Sequence, residues 1–245
     1  MPAIAASSPI RDGEFTGLMD TRLEAYRRNS ARIPCITGQV IPEPVQTREE
    51  YQGKILQPIY QALAPHDPAG TLQHEWVNAR GVIARFDRNT IEVRVLDTQE
   101  TPAADMAVAN LIIGALKLLI AQAWSTTGQQ LAFATPDLAG LLLDHVKNAE
   151  QTIIKDRNYL RLFAFPDRRC ETRELWQYLL ESIPGAGIKL PPDITGPMHH
   201  IVQQGPLARR ICKAIGSKMR RPRLQETYRQ LGACLAQGHL FNAID

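Results

Sequence analysis

Between His74 and Met106 the chain reads HEWVNARGVIARFDRNTIEVRVLDTQETPAADM, and its alternation leaves little choice of local structure. Val82, Ala84 and Phe86 alternate with Ile83 and Arg85, the turn-forming string Asp87-Arg88-Asn89-Thr90 follows, and Ile91, Val93 and Val95 alternate with Glu92, Arg94 and Leu96. Period-two alternation on both sides of a polar turn marks a β-hairpin. With Arg88 and Asn89 as a two-residue turn, Arg85 faces Glu92 and Ile83 faces Arg94, so Arg85, Glu92 and Arg94 share one face. The other face (Val82, Ala84, Phe86, Ile91, Val93, Val95) is apolar enough to be a core face. The charged face then looks either into solvent or into a polar cavity. In solvent it carries an ordinary cross-strand ion pair worth about 0.2–1 kcal/mol. In a cavity, a strand-borne Glu92 is suited to hold Mg²⁺, and the guanidiniums are suited to clamp phosphate or carboxylate oxygens by paired hydrogen bonds.

At 245 residues with 44% hydrophobic content the chain is able to bury a large core, as one domain or two small ones. A formal net charge of +3 gives no global case for nucleic acid or an anionic membrane. The charge is uneven, however: Arg209, Arg210, Lys213, Lys218, Arg220, Arg221, Arg223 and Arg229 stand against one acid, Glu226. Cys35, Cys170, Cys212 and Cys234 are scattered without CxxC spacing, which suggests neither a zinc site nor a disulfide framework and fits a reducing cytosol. The opening MPAIAASSPIRDGE lacks the basic and apolar regions of a signal peptide. Met106 to Trp124 is the longest apolar run, but Asn110, Lys117 and Gln122 interrupt it, which favours a buried helix over a membrane span.

Along the chain, Ala3 to Ala6 predicts a short strand halted by Ser7-Ser8-Pro9. Asp20 is placed to cap a helix through TRLEAYRRNSAR, which Pro34 stops. Thr47 and Glu50 have capping-box spacing for a second helix, although Gly53 and Pro58 weaken it. After the hairpin, Thr101-Pro102 and Thr135-Pro136 each make an N-cap and first-turn pair. Helical patterns also fit 152–164, 171–183, 206–216 and 223–237, and 183–197 reads as a loop. The order is mixed α/β first and all-helical afterwards, with a sheet-containing part over 1–126 and a helical part over 127–245, together one continuous domain.

Taken together, NARGVIARFDRNTIEVRVLDTQETPAAD and AASSPIRDGEFTGLMDTRLEAYRRNSARIP resemble the glutamate-cysteine ligase superfamily, in its bacterial carboxylate-amine ligase branch. The resemblance runs from about Ala3 to Met106, through the Ser-Ser-Pro segment, Asp20-Thr21-Arg22, Asn78-x-Arg80 and Thr90-Ile-Glu-x-Arg94. It implies an α+β, glutamine-synthetase-like fold, with an antiparallel sheet whose concave face holds ATP, Mg²⁺ or Mn²⁺, and an acidic amino acid. Such enzymes phosphorylate a carboxylate and let an amine attack the acyl phosphate, so metal and cations must absorb the charge of phosphoryl transfer. Glu92 matches the family's metal-binding carboxylate and Arg94 its phosphate-contacting arginine. Arg85 is a catalytic candidate beside Arg94, and Arg22 and Arg80 are candidates for contacting nucleotide or substrate carboxylate.

Members of this family open with a Gly-x-Glu-x-Glu strand, and none occurs here; Gly13-Glu14-Phe15 is the nearest string. The chain therefore resembles the C-terminal part of a ligase, and the expectation is a truncated cytoplasmic protein with little or no activity of its own. A separate N-terminal chain or a homo-oligomer would then cover its open strand edges. A non-catalytic relic or regulatory subunit of the same fold is one alternative. A helical nucleic-acid module using 209–229 is the other, although only Tyr228 supplies an interleaved aromatic ring. His199-His200 and His145 carry no metal-site pattern, and His74, beside Glu75, is the one histidine placed near the hairpin. No P-loop, GxGxxG or Gly-x-Ser-x-Gly string is present.

Overall fold

The computed structural model describes residues 1–243. The order is α1 (Pro2–Ala5), β1 (Ile10–Arg11), β2 (Glu14–Phe15), α2 (Thr21–Arg28), α3 (Arg48–Tyr51), α4 (Gln57–Leu63), β3 (Val82–Arg85), β4 (Thr90–Val93), α5 (Pro102–Ile120), α6 (Thr127–Leu131) and α7 (Thr135–Asn148). It continues with β5 (Ile153–Ile154), α8 (Arg157–Arg161), β6 (Cys170–Glu171), α9 (Thr172–Gly185), α10 (Pro192–Gln204), α11 (Leu207–Ile215) and α12 (Arg221–Gln237). The strands pair antiparallel as β1–β2, β3–β4 and β5–β6. The protein is thus α+β with a helical C-terminal part, as the sequence predicts.

Two compact units emerge, each from separate stretches of chain. The first takes Met1–Thr21, Leu96–Ala132 and everything from Leu143; the second takes Arg22–Val95 and Phe133–Leu142.

In the first unit α5 packs on α9 and α10. Its buried positions Ala104, Ala107, Val108, Leu111, Ala115 and Leu118 recur at helical spacing, and the helices packed on it carry buried Leu179 and Ile183 (α9) and buried Met198 and Ile201 (α10). Among the described residues α5 is the one helix long and apolar enough to cross a membrane, and its inward face is buried against these neighbours. Leu207, Ile211, Ala214 and Ile215 of α11 form a second cluster with Phe241. Thr101 caps α5 by accepting the Ala104 amide, as its sequence position predicts.

Three local expectations are corrected. Ala3 to Ala6 belong not to a strand but mostly to the short buried helix α1, where Pro2 presets the helical φ, and Ala6 at its end packs with Ala149 and Ala208. Over 152–164 the helix begins only at Arg157, capped by Asp156, because the β-branched pair Ile153-Ile154 takes a strand against Cys170-Glu171. The stretch 183–197 is not all loop: α9 runs on to Gly185 and α10 starts at Pro192, a proline in the position where its missing amide costs nothing.

The second unit is built on Tyr51, Ile55, Leu56, Ile59, Leu63 and Val77, with Phe86 packed against them. Thr47 caps α3 by accepting the Glu50 amide. Pro58 does not break the rod: Gln52–Leu56 widens into a π-turn, and the proline then enters at the start of α4. Tyr51 meets the Phe86 ring edge-on with centroids 5.3 Å apart, tying this helical layer to the β3–β4 hairpin.

Candidate functional site

The hairpin pairs Val82 with Val93, Ile83 with Glu92, Ala84 with Ile91 and Arg85 with Thr90. This differs by two residues from the register of a two-residue turn. Phe86–Arg88 instead form a 3₁₀ turn closed by Asn89 in the left-handed conformation (φ 50°). Glu75 fixes that longer turn: its carboxylate accepts the amides of Phe86 (3.0 Å) and Asp87 (3.1 Å). A slip of two leaves every side chain on its original face, so Arg85, Glu92 and Arg94 still share one.

Both faces of the hairpin are partly covered: Ala84 and Phe86 of the apolar face pack against the core and Val95 is buried. Ile83 and Arg85 on the charged face are buried, whereas Ile91 on the apolar face is 72% exposed. The arginines go inward because each finds fixed acceptors, which is the condition for burying a charge. Arg85 Nη1 donates to Glu92 Oε2 at 3.0 Å and Nη2 to Asp87 Oδ2 at 3.3 Å. Arg94 Nε donates to Glu92 Oε1 at 2.7 Å, Nη1 to the Asn78 carbonyl at 2.6 Å and Nη2 to the Trp76 carbonyl at 3.3 Å. Glu92 is therefore a bridge, with one oxygen on each guanidinium.

Asn78, fully buried, links this group to the next arginine. Its Oδ1 accepts Arg80 Nη1 at 3.1 Å, while its Nδ2 donates to the Tyr51 hydroxyl at 2.8 Å. The same hydroxyl accepts the Ala84 amide at 3.1 Å, so the hairpin and Asn78 hang from one phenol. Arg80 makes a two-pronged ion pair with Glu43 and donates to the Cys35 carbonyl. Arg22 on α2 donates to the Arg94 carbonyl at 3.3 Å. All five candidates thus lie in the second unit. Arg85, Glu92 and Arg94 meet directly, Arg80 joins through Asn78, and Arg22 touches the backbone of Arg94. His74 is exposed and enters none of these bonds among the described residues.

Electrostatics follows the pairing. Glu92 is held below its ordinary pKa by the hydrogen bond from Arg94, which with Arg85 outweighs burial. Glu43 is also lowered: burial alone would raise it, but Arg80 and a backbone hydrogen bond prevail. Arg85 is raised, chiefly by Glu92. Four arginines and the four carboxylates of Glu43, Glu75, Asp87 and Glu92 meet here, so the site is close to neutral as it stands.

Glu43, Glu75, Asn78 and Tyr51 are the partners that residue patterns did not supply as site residues. Of these, only Asn78 and Glu75 had a visible signal, as neighbours of the hairpin motif. Elsewhere His145 is a satisfied core histidine, its Nε2 2.8 Å from the Thr172 hydroxyl.

The donor set decides what could bind. Forked guanidiniums on rigid strands suit phosphate or carboxylate oxygens. For a divalent ion the fit fails: both Glu92 oxygens carry guanidinium hydrogen bonds, and no three Asp, Glu, His or Cys side chains among the described residues are grouped to hold a metal.

The protein is of α+β class, with a part-buried arginine–carboxylate cluster on an antiparallel hairpin. The family model of glutamate-cysteine ligase family 2 matches residues 1–229, and the chain belongs to that family. An uncharacterized protein of Archaeoglobus fulgidus is 33% identical over 191 residues, covering 74% of this chain and 50% of the relative. The chain spans about half the length of the curated relative it matches.

Proposed function

We propose that this chain carries the arginine half of an ATP-dependent carboxylate-amine ligase site of the glutamate-cysteine ligase type. The carrying observation is the Arg85–Glu92–Arg94 bridge, in which a carboxylate already occupies the position an anionic ligand would take between two guanidiniums. In such chemistry the acid is activated by phosphorylation and the amine displaces the phosphate. Arg94 is preoriented for this by two backbone carbonyls, and Arg85 by Asp87 and Glu92, so their charge is in place before it is needed. When an anion arrives, Glu92 must yield one or both guanidiniums. Arg80, locked to Glu43, positions Asn78 and through it the Arg94 fork.

Mg²⁺ would neutralise the polyphosphate, and this chain offers it one carboxylate, so no step is assigned to metal here. The remaining carboxylates would come from another polypeptide segment, a separate chain or a second copy. The reading places the protein in the cytoplasm, with a small amino acid as substrate.

The test is nucleotide binding by calorimetry. ATP should bind the chain, and Arg94→Ala should weaken it about tenfold or more, the loss of a charge-assisted fork. Equal binding by both proteins would remove the ligase reading. The expectation of low activity has its own test: ADP release with glutamate, cysteine and Mg²⁺ that Glu92→Gln abolishes would show a self-sufficient enzyme.

A further inference from the structure

The segment joining α11 to α12 is cationic and, unlike the hairpin, not neutralised. Arg209 is paired with Glu150 at 2.7 Å, and Arg210 is buried against Glu100. Lys213, Lys218, Arg220, Arg221 and Arg223 are all exposed, and no carboxylate among the described residues pairs with any of them. Arg223 Nε is held on the Ala214 carbonyl at 2.6 Å and Lys213 Nζ on the Gln204 carbonyl at 3.4 Å, neutral acceptors that leave the charges in place. Five unscreened cations on 11 consecutive residues, 213–223, make a local field in a chain whose net charge is only +3.

The same surface carries an aromatic ring. Arg221, Gln225 and Tyr228 recur at i, i+4 and i+7, which places them on one face of α12, and Tyr228 is 47% exposed. Cations that follow a backbone beside a ring that stacks on a base are the two parts of a single-strand binding surface. Three of the five cations are arginines, which take phosphate oxygens in pairs.

We propose that the ridge from Lys213 to Arg223, with Tyr228, binds single-stranded nucleic acid. The phosphates lie along Lys218, Arg220 and Arg221, and one unstacked base lies on Tyr228. An acidic protein would need the cations but not the ring. A lipid surface would need large apolar side chains exposed among them, and over 213–224 these are the buried Ile215 and the half-buried Met219 and Leu224.

The probe is a fluorescent twelve-nucleotide oligo-uridylate titrated with the full chain across a salt series. The expected result is binding whose logarithm falls against log salt with a slope of about −3, as for four to five contacts on a single strand. The variant Lys218→Ala/Arg220→Ala/Arg221→Ala should flatten that slope. Tyr228→Ala should weaken binding about tenfold at unchanged slope, the loss of one stacked base. Thermal melts of both variants, altered only at exposed side chains, establish that they fold. No binding at 50 mM salt, binding unchanged in the triple variant, equal competition by polyglutamate, or uptake on phosphatidylserine vesicles without uptake of the oligonucleotide would each overturn the proposal.

Discussion

Gly81 shows how tightly the hairpin is set into its unit. A methyl group there would overlap Val95 Cγ1 and stand 3.0 Å from Val40 Cγ1, both on stiff β-branched side chains. Val40 itself holds φ at 68°, a conformation that costs a β-branched residue about 1–3 kcal/mol. It is kept there by its amide on the Thr37 carbonyl and by the Gly81 amide on its own carbonyl at 2.6 Å. Gly81→Ala is therefore expected to destabilise by about 1–3 kcal/mol, the usual cost of overpacking, read as a lower urea midpoint at unchanged slope. A midpoint equal to that of the parent would mean that the Val40 loop yields freely.

At the scale of the hairpin, stability depends on charge as much as on pairing. Glu92 and Glu43 are each lowered from an ordinary glutamate value near 4.5, so the folded state holds their ionised forms more favourably than the unfolded chain does. A depressed folded pKa gives stability that is complete above the unfolded value and is lost as pH falls through the folded one. Acid should therefore loosen the second unit below about pH 4.5, and Glu92→Gln should flatten that dependence while lowering stability at pH 7. Tyr51 sits in this unit, beneath the hairpin, so tyrosine fluorescence against pH is one readout. A pH profile unchanged in Glu92→Gln would show that the bridge contributes nothing to folding. The faces of this element were legible in its alternation, because side-chain direction along a strand is a local property. Its register was not, because Glu75, eleven residues before Phe86, decides the turn by capping two amides that a two-residue loop would not present.

Among the described residues the charges range from solvated to sealed. Arg210 and Glu100 are the sealed pair: Arg210 is 1% exposed, and it also donates to the carbonyls of Gly205 (3.2 Å) and Phe241 (2.8 Å). Glu100 accepts the Phe241 amide at 3.2 Å. Residues 100, 210 and 241, far apart in sequence, thus close on one point. Removing one partner leaves a buried charge uncompensated, so Glu100→Leu should cost about 3–5 kcal/mol. Combining it with Arg210→Met should recover most of that loss, because a hydrophobic pair of similar volume packs where the ions were. Urea denaturation of the two singles and the double reads the coupling directly, and additive losses would show that the pair acts as two independent residues.

The sequence by itself determined the hairpin, the capping of α3 and α5, and the set of charged side chains that share one hairpin face, since each depends on neighbours within a few residues. It also carried enough of the Asn-x-Arg and Glu-x-Arg strings to indicate the family. Only the tertiary structure decided that the charged hairpin face is covered as well as the apolar one. Hydropathy pointed to the apolar one, which does pack on the core through Ala84 and Phe86, but Glu92, Asp87 and the carbonyls of Asn78 and Trp76 give the arginines of the other face acceptors fixed in place. A charge is buried or exposed according to the partners that the fold brings to it, and those partners lie up to tens of residues away.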